Sequence, residues 1–177
     1  MQFETIHPFL DGNGRVGRLL IALILHHDGV LRQPLLYLSL YFKQHRAEYY
    51  RQLDAVRHTG DWEAWLDFFL EGVEQTATGA VDTAHRLLAL FQQDAVKVRT
   101  LGRSAANALH LFDALRRRPV ATIGFLAQQT GVTFATAARH VEALVHLGIL
   151  HELTHKSRER VFAYQGYLDI LNEGAQA

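Results

Sequence analysis

The chain has 177 residues, enough for one large domain or two small ones, and 49% of them are hydrophobic, so we expect a packed core. Eighteen Lys and Arg residues balance eighteen Asp and Glu residues, and the zero net charge gives no overall attraction to nucleic acid or an acidic membrane. The absence of cysteine excludes disulfides, a thiol nucleophile and a cysteine-based zinc site, and it fits a reducing cytosol.

The first residues show no export signal. They lack the basic and apolar regions of a signal peptide, and the longest apolar run, Leu19–Leu25, is far too short to span a bilayer. We therefore expect a soluble, cytoplasmic protein without membrane contact. Phe3, Ile6 and Phe9 have helical spacing and predict the last turn of a helix that begins upstream. We interpret the chain as the C-terminal portion of a larger protein or as a truncated gene product.

Residues 7–18 read HPFLDGNGRVGR, and the apolar residues after them predict a central buried helix from about Asn13 to His27. Gly12 and Gly14 lie at its N-terminus, where unpaired N–H groups and the positive end of the helix dipole form an anion site. Because Arg15 and Arg18 are three residues apart, they share a helix face and can both reach polyphosphate oxygens.

Two further groups of this stretch suit phosphate chemistry. Asp11 offers hard oxygen ligands for Mg²⁺, and His7 is a natural proton acceptor near neutral pH. Taken singly, such a histidine, glycine turn or arginine pair is more often a surface feature than a catalytic one. Together they predict a phosphate-handling site with its own base.

The same stretch resembles the signature of the Fic family (filamentation induced by cyclic AMP), His-Pro-Phe-x-Asp/Glu-Gly-Asn-Gly-Arg-x-x-Arg, at every specified position. The resemblance implies a protein adenylyltransferase that moves AMP from ATP to a hydroxyl of a target protein, with ATP and Mg²⁺ as cofactors. It implies that His7 is the general base toward a Ser, Thr or Tyr of the target or of the chain itself, and that Asp11 holds Mg²⁺. It also implies that Gly12, Asn13 and Gly14 form an anion cradle and that Arg15 and Arg18 contact the phosphates. Pro8 and Phe9 would be structural, with Phe9 anchoring the loop in the core.

Members of that family position the target with a flap upstream of the motif, so we expect impaired activity if the chain is truncated. Two other functions stay open. One is a DNA-binding transcriptional regulator in which a Fic-derived segment senses nucleotide. The other is a Fic-fold transferase with a different nucleotide or phosphate donor.

The helices after the motif are predicted from apolar periodicity and caps. Ser39 is the expected N-cap of a helix that ends near Arg57, and Asp61 is the expected cap of the next. An aromatic stripe over residues 62–73 predicts core packing, and this region also resembles the segment after the motif in bacterial Fic proteins. The helical pattern continues to Gly102 as one long helix, or as two joined by a kink, that acts as a spacer.

From residue 104 the pattern changes to three short helices followed by two β-like runs. Ser104, Thr122 and Thr133 are the expected helix N-caps, and Ile149–Leu153 and Val161–Tyr164 are the expected strands. This order resembles a winged helix-turn-helix domain with a small β-wing. The predicted fold is therefore mainly α: residues 1–100 form the C-terminal part of a Fic-type helical domain with a long linker helix, and residues 101–177 form the winged domain.

The winged domain carries candidate DNA contacts on its third helix and in its wing. Residues 101–177 contain eight Lys and Arg against six Asp and Glu, a net charge of +2, which is a weak electrostatic footprint for a DNA binder. Winged domains also serve protein docking and dimerisation, so the fold alone does not decide whether this one binds DNA. We expect a homodimer. The candidate contacts are Thr133, Thr136, Arg139 and His140 on the helix and Lys156, Arg158 and Arg160 in the wing.

Overall fold

The structure is a computed structural model that describes residues 3, 6–32, 37–154, 156 and 159–176, with side chains up to residue 173. It divides into two compact units, Met1–Val81 and Asp82–Ala177. In chain order the α-helices are α1 Asn13–His27, α2 Leu38–Gln44, α3 Arg46–Thr59, α4 Trp62–Arg99, α5 Ala105–Arg117, α6 Ile123–Thr130, α7 Phe134–His146 and α8 Gln165–Gln176, and the strands are β1 Val120–Thr122, β2 Leu150–Glu152 and β3 Val161–Tyr164. No helix in these ranges is long and apolar enough to cross a membrane. The mainly α fold with a small sheet is confirmed.

The first unit is built around an aromatic cluster between α2, α3 and the start of α4. Tyr41, Phe42, Tyr49 and Phe68 are its buried rings, with Tyr41 and Phe68 5.2 Å apart between ring centroids. Asp61 caps α4 as predicted, because its Oδ1 accepts a hydrogen bond from the Ala64 N–H at 3.1 Å. The predicted stripe is only half buried, since Trp65, Phe69 and Val73 pack on the cluster while Trp62, Leu66 and Leu70 are exposed.

Helix α1 is not the buried helix that its composition predicts. Among its residues only Asn13 and Ala22 are buried, whereas Leu19, Leu23 and Ile24 are largely exposed. Only one side of α1 reaches the aromatic cluster, through Ile21. Its other apolar side has no cover among the described residues, and a hydrophobicity pattern alone does not say how many neighbours a helix has.

The single helix predicted over Ser39–Arg57 is two helices that meet at His45. Helix α2 begins at Leu38 without a side-chain cap, so Ser39 is not the N-cap. The backbone ladder crosses the junction, because the His45 N–H donates to the Tyr41 carbonyl at 2.9 Å. The His45 Nδ1 also lies 3.0 Å from that carbonyl oxygen, and this local competition for one acceptor accounts for the bend.

The second unit contains a three-stranded antiparallel sheet in the order β1-β3-β2, with Ala121 opposite Phe162 and His151 opposite Ala163. The sequence predicted the two wing strands but missed β1 and α8. Thr122 caps α6 and Thr133 caps α7, as predicted. Ser104 occupies the predicted N-cap position of α5, but it makes no side-chain capping hydrogen bond and instead closes a short 3₁₀ turn, Gly102–Ser104.

The end of α4 belongs to the core of this unit. Asp94, only 2% exposed, accepts a hydrogen bond from the Tyr164 hydroxyl at 2.6 Å and pairs with Lys97 at 2.6 Å. Burial, and then the hydrogen bond to this carboxylate, raise the pKa of Tyr164. The contact ties α4 to β3, and α4 is one continuous helix, in agreement with the first of the two forms predicted.

Candidate functional site

The loop before α1 turns into the helix through Gly12, whose φ of +82° lies in the left-handed region. The Gly12 N–H donates to Oδ1 of Asp11 at 2.6 Å, and Oδ2 of Asp11 lies 3.2 Å from Nη2 of Arg15. Both side chains of this ion pair are exposed, so it is weak and easily exchanged for a ligand. A Cβ on residue 12 would lie 3.3 Å from the Arg15 guanidinium, which adds crowding to the backbone strain.

Asn13 has a structural task in this loop. Its side chain accepts a hydrogen bond from the Phe9 N–H at 3.0 Å and donates one to the Phe9 carbonyl at 2.6 Å. The residue is buried and its carboxamide is occupied on both sides. Asn13 therefore fixes the shape of the loop.

His7 and Phe9 lie just before this turn. His7 is exposed and adopts φ +51°, unusual for a residue with a side chain, and its N–H donates to the Phe3 carbonyl at 3.1 Å. Phe9 is 53% exposed and its ring centroid lies 6.3 Å from that of Phe3. The expectation that Phe9 anchors the loop in the core is wrong for the residues described, because the hydrogen bonds of Asn13 hold the loop instead.

A pocket of about 450 Å³ lies beside the motif, within the first unit. Arg15 and Arg18 both line it, as expected for two residues on one helix face, and Lys43 and Arg46 add two further cations from α2 and α3. Arg18, Lys43 and Arg46 make no ion pair with a described carboxylate. Aromatic and hydroxyl side chains complete the wall: Tyr37, Ser39, Phe42, Tyr49 and Tyr50.

This pocket, called the cationic pocket below, combines an excess of positive charge with aromatic faces. The Arg46 guanidinium carbon lies 5.7 Å from the ring centroid of Tyr50, a cation–π arrangement. Lys43 and Arg46 are not among the site residues predicted from the sequence. Their three-residue spacing, with Tyr50 four residues on, is the signal that could have found them.

Asp11, the acidic residue of the loop, is suited to a metal site in which one carboxylate acts together with ligands from outside the protein. Among the described residues no three His, Asp or Glu side chains converge as metal ligands. Mg²⁺ is commonly held by one carboxylate together with substrate phosphates and water, and the exposed Asp11 fits that arrangement.

In the second unit the predicted DNA contacts fall into three groups. Thr133 and Thr136 join hydroxyl to hydroxyl at 2.9 Å at the start of α7, and Arg139 is exposed on the same helix. Lys156 is exposed in the wing. Arg158 lies outside the described residues.

Two other candidates are not available to a groove. His140 is buried in the core, 1% exposed, where desolvation, and then the charge of Arg139, lower its pKa. Arg160 is held between Glu152, at 2.7 Å, and Glu142, at 2.7 Å, and these hydrogen bonds raise its pKa. The predicted roles of these two residues are therefore wrong: one is a core residue and the other joins α7 to the wing.

The fold and the site define a mainly helical protein that has a glycine-turned helix start beside a cationic pocket in one unit and a winged helix-turn-helix in the other. Residues 1–25 match the Fic/DOC family, and residues 104–153 match the IclR helix-turn-helix domain. The motif segment of the chain is therefore similar to the Fic/DOC family, and its winged domain is similar to the IclR helix-turn-helix domain.

Similar proteins are adenylyltransferases by name. A probable protein adenylyltransferase of Aquifex aeolicus is 66% identical over 29 residues, 16% of this chain and 9% of that protein. The protein adenylyltransferases Fic of Aedes aegypti and Culex quinquefasciatus are each 39% identical over 71 residues, 40% of this chain and 13% of each protein. The matched part thus spans about a tenth of these relatives. Among solved structures, RV1404 from Mycobacterium tuberculosis is 22% identical with a TM-score of 0.33, over 58% of this chain and 71% of that one.

Proposed function

We propose that residues 1–100 form part of a protein adenylyltransferase, which transfers AMP from ATP to a Ser, Thr or Tyr hydroxyl of a target protein or of the chain itself. The observation that carries this proposal is the cationic pocket, into which the motif residues Arg15 and Arg18 open. A nucleoside triphosphate joins a strongly anionic tail to an aromatic base, and the pocket offers four cations and several aromatic faces. The similarity to named adenylyltransferases supports the same reaction class.

In the proposed reaction the acceptor oxygen bonds to the α-phosphorus while the bond to pyrophosphate breaks, and the hydroxyl proton passes to His7. The first-turn N–H groups of α1, those of Asn13 and Gly14 among them, lie at the positive end of the helix and would receive the phosphate oxygens. Arg15 and Arg18 would stabilise the developing charge on the leaving group. Asp11 would hold Mg²⁺, which neutralises phosphate charge when bound.

The test is transfer of label from α-labelled ATP by the full chain, with mass spectrometry of modified peptides. His7→Ala should lower the rate at least about 10²-fold, since general-base catalysis contributes about 10²–10⁴-fold. His27→Ala, at the far end of α1, is the matched control and should retain the rate. Equal transfer by the His7→Ala and wild-type chains would refute the proposed base.

Two further measurements separate the alternatives. Excess chelator, or Asp11→Ala, should stop transfer if Asp11 holds Mg²⁺, and persistence of transfer in chelator would exclude that role. Incorporation of label from γ-labelled but not α-labelled ATP would indicate phosphate transfer. Competition among nucleoside triphosphates would report which base the site prefers.

We also propose DNA binding by residues 101–177 as a second function, which would make the protein a transcriptional regulator. The match to the IclR helix-turn-helix domain supports it, together with the exposed Arg139 and Lys156. A cytoplasmic location, which the cysteine-free sequence favours, and a homodimer suit such a role.

DNA binding is tested by a mobility shift on the DNA upstream of the protein's own gene. Arg139→Ala should weaken binding about 10-fold or more, as expected from losing about 1–3 kcal/mol at one base contact. Arg103→Ala, outside the helix-turn-helix, should leave the affinity unchanged, and added salt should weaken the wild-type complex. Binding that is insensitive to Arg139→Ala would contradict the assignment of α7 as the reading helix.

A further inference from the structure

The first unit has a second pocket, of the opposite charge, formed by α2, α3 and the start of α4. It measures about 460 Å³, and it shares no residue with the cationic pocket. Glu48, Asp67 and Glu71 supply its carboxylates, and no Lys or Arg lines it. We call it the acidic pocket.

Two of the three carboxylates have no compensating cation among the described residues. Glu48 is neutralised by Arg51, whose Nε lies 2.8 Å from Oε2. Glu71 accepts a hydrogen bond from the Gln75 amide, a neutral donor, at 3.0 Å. Asp67 is exposed and makes no ion pair in the part of the chain described. The pocket therefore keeps about two negative charges.

A second observation, independent of charge, also calls for a donor. Gln52 lines the acidic pocket and is only 6% exposed. Its Nε2 donates to Glu48 at 2.7 Å, whereas its Oε1 is buried without a hydrogen-bond partner among the described residues. Buried carbonyl oxygens are nearly always paired, so this one indicates a missing donor.

The arrangement of these acceptors selects the kind of cation. They do not converge as metal ligands, so a compact ion would not satisfy them together. A guanidinium group spreads five N–H donors over a plane, so it can reach carboxylate and amide oxygens that lie apart. We propose that the acidic pocket binds the guanidinium group of an arginine side chain carried by a partner protein.

The test uses the full chain and two small probes that differ only in charge and donors. A ¹⁵N NMR titration with N-acetylarginine methylamide should shift amide signals of α3 and of residues 61–72 saturably, with N-acetylcitrulline methylamide as the neutral isostere. We expect binding of the arginine probe at least about 10-fold tighter than that of the citrulline probe. Equal binding of the two, or equally tight binding of N-acetyllysine methylamide, would overturn the proposal.

Variants place the binding in this pocket. Asp67→Asn with Glu71→Gln should weaken the arginine probe about 10-fold, since each exposed ion pair is worth up to about fivefold. Glu74→Gln makes the same kind of charge change on α4 outside the pocket, and it should have no effect. An equal loss in Glu74→Gln would show that only net charge is sensed and would refute the site.

Gln52→Met distinguishes binding from a structural role. The change removes the unpaired oxygen while keeping a side chain of similar length, so the thermal midpoint of unfolding should hold or rise. Affinity for the arginine probe should fall all the same. Unchanged affinity in a folded Gln52→Met chain would contradict the proposed donor to Oε1.

Discussion

At the scale of single residues, one close approach sets the packing of the first unit. Gly72 lies in the middle of α4, where a glycine costs helix stability, and a Cβ there would lie 2.6 Å from Cδ1 and 2.8 Å from Cε1 of Tyr41. The Tyr41 ring packs between Phe68 and His45, 5.2 Å and 4.3 Å away between centroids. The missing side chain therefore makes room for the central ring of the cluster.

We expect Gly72→Ala to lower the free energy of unfolding by about 1–3 kcal/mol, the usual cost of overpacking, although alanine is the better helix former. Gly79→Ala is the matched control on the same helix, since a Cβ there would meet no described atom within 4 Å outside the helix's own backbone, and it should stabilise by about 0.5–1 kcal/mol. Urea unfolding followed by the fluorescence of Trp62 and Trp65 reports on this unit. Equal stability of the two variants would contradict the packing argument.

Residue types in the motif predicted the geometry of the loop better than they predicted the task of each side chain. The glycine turn and the shared face of Arg15 and Arg18 follow from backbone rules and helical spacing, and the structure has both. The two-sided hydrogen bond of Asn13 to Phe9 does not follow from them, because an asparagine between glycines serves a turn or a ligand equally well. The burial of His140 could not be predicted either, because a shift of one residue along α7 moves a side chain from its exposed side to its buried side.

At the scale of elements, the sequence predicted those helix starts that depend only on neighbouring residues of the chain. Asp61, Thr122 and Thr133 cap their helices because a short oxygen-bearing side chain reaches an N–H two or three residues on. The strand β1 has three residues and exists through its pairing with β3, which the local sequence does not contain. The bend at His45 likewise depends on one imidazole and one carbonyl, and periodicity cannot report it.

Helix α1 shows the limit of composition as a guide to burial. Its run of leucine and isoleucine predicts a helix, and the structure has one over Asn13–His27. Burial depends on neighbours, and the described residues cover only one side of it. The side of α1 that carries Arg15 and Arg18 is the side that lines the cationic pocket.

At the scale of the whole molecule, the two units differ in how much core they hold. Among the described residues the second unit has sixteen residues in one buried cluster, whereas the largest cluster of the first unit has six. The cluster of the second unit draws on α4, α5, α6, α7 and all three strands, so these elements should unfold together. In the described part of that unit His140 is buried, and its Nε2 has no hydrogen-bond partner.

The stability of the second unit should therefore fall on mild acidification. Burial lowers the pKa of His140 below its ordinary value of 6.5, so the folded chain keeps it neutral while the unfolded chain takes up a proton. The free energy of unfolding is thus highest above pH 6.5 and decreases as the pH falls below it. Hydrogen exchange of amides in residues 105–164, corrected for intrinsic rates, should show less protection at pH 5.5 than at pH 7.5.

Replacing the imidazole identifies the group responsible. His140→Leu fills the site with an apolar side chain that cannot take up a proton, so protection between pH 7.5 and pH 5.5 should become nearly constant. His146→Gln, at the exposed end of α7, should keep the wild-type dependence, because that histidine is solvated in both states. A pH dependence that survives in His140→Leu would place the titrating group elsewhere. Its loss in His140→Leu alone would show that one buried imidazole couples the folding of the winged unit to pH.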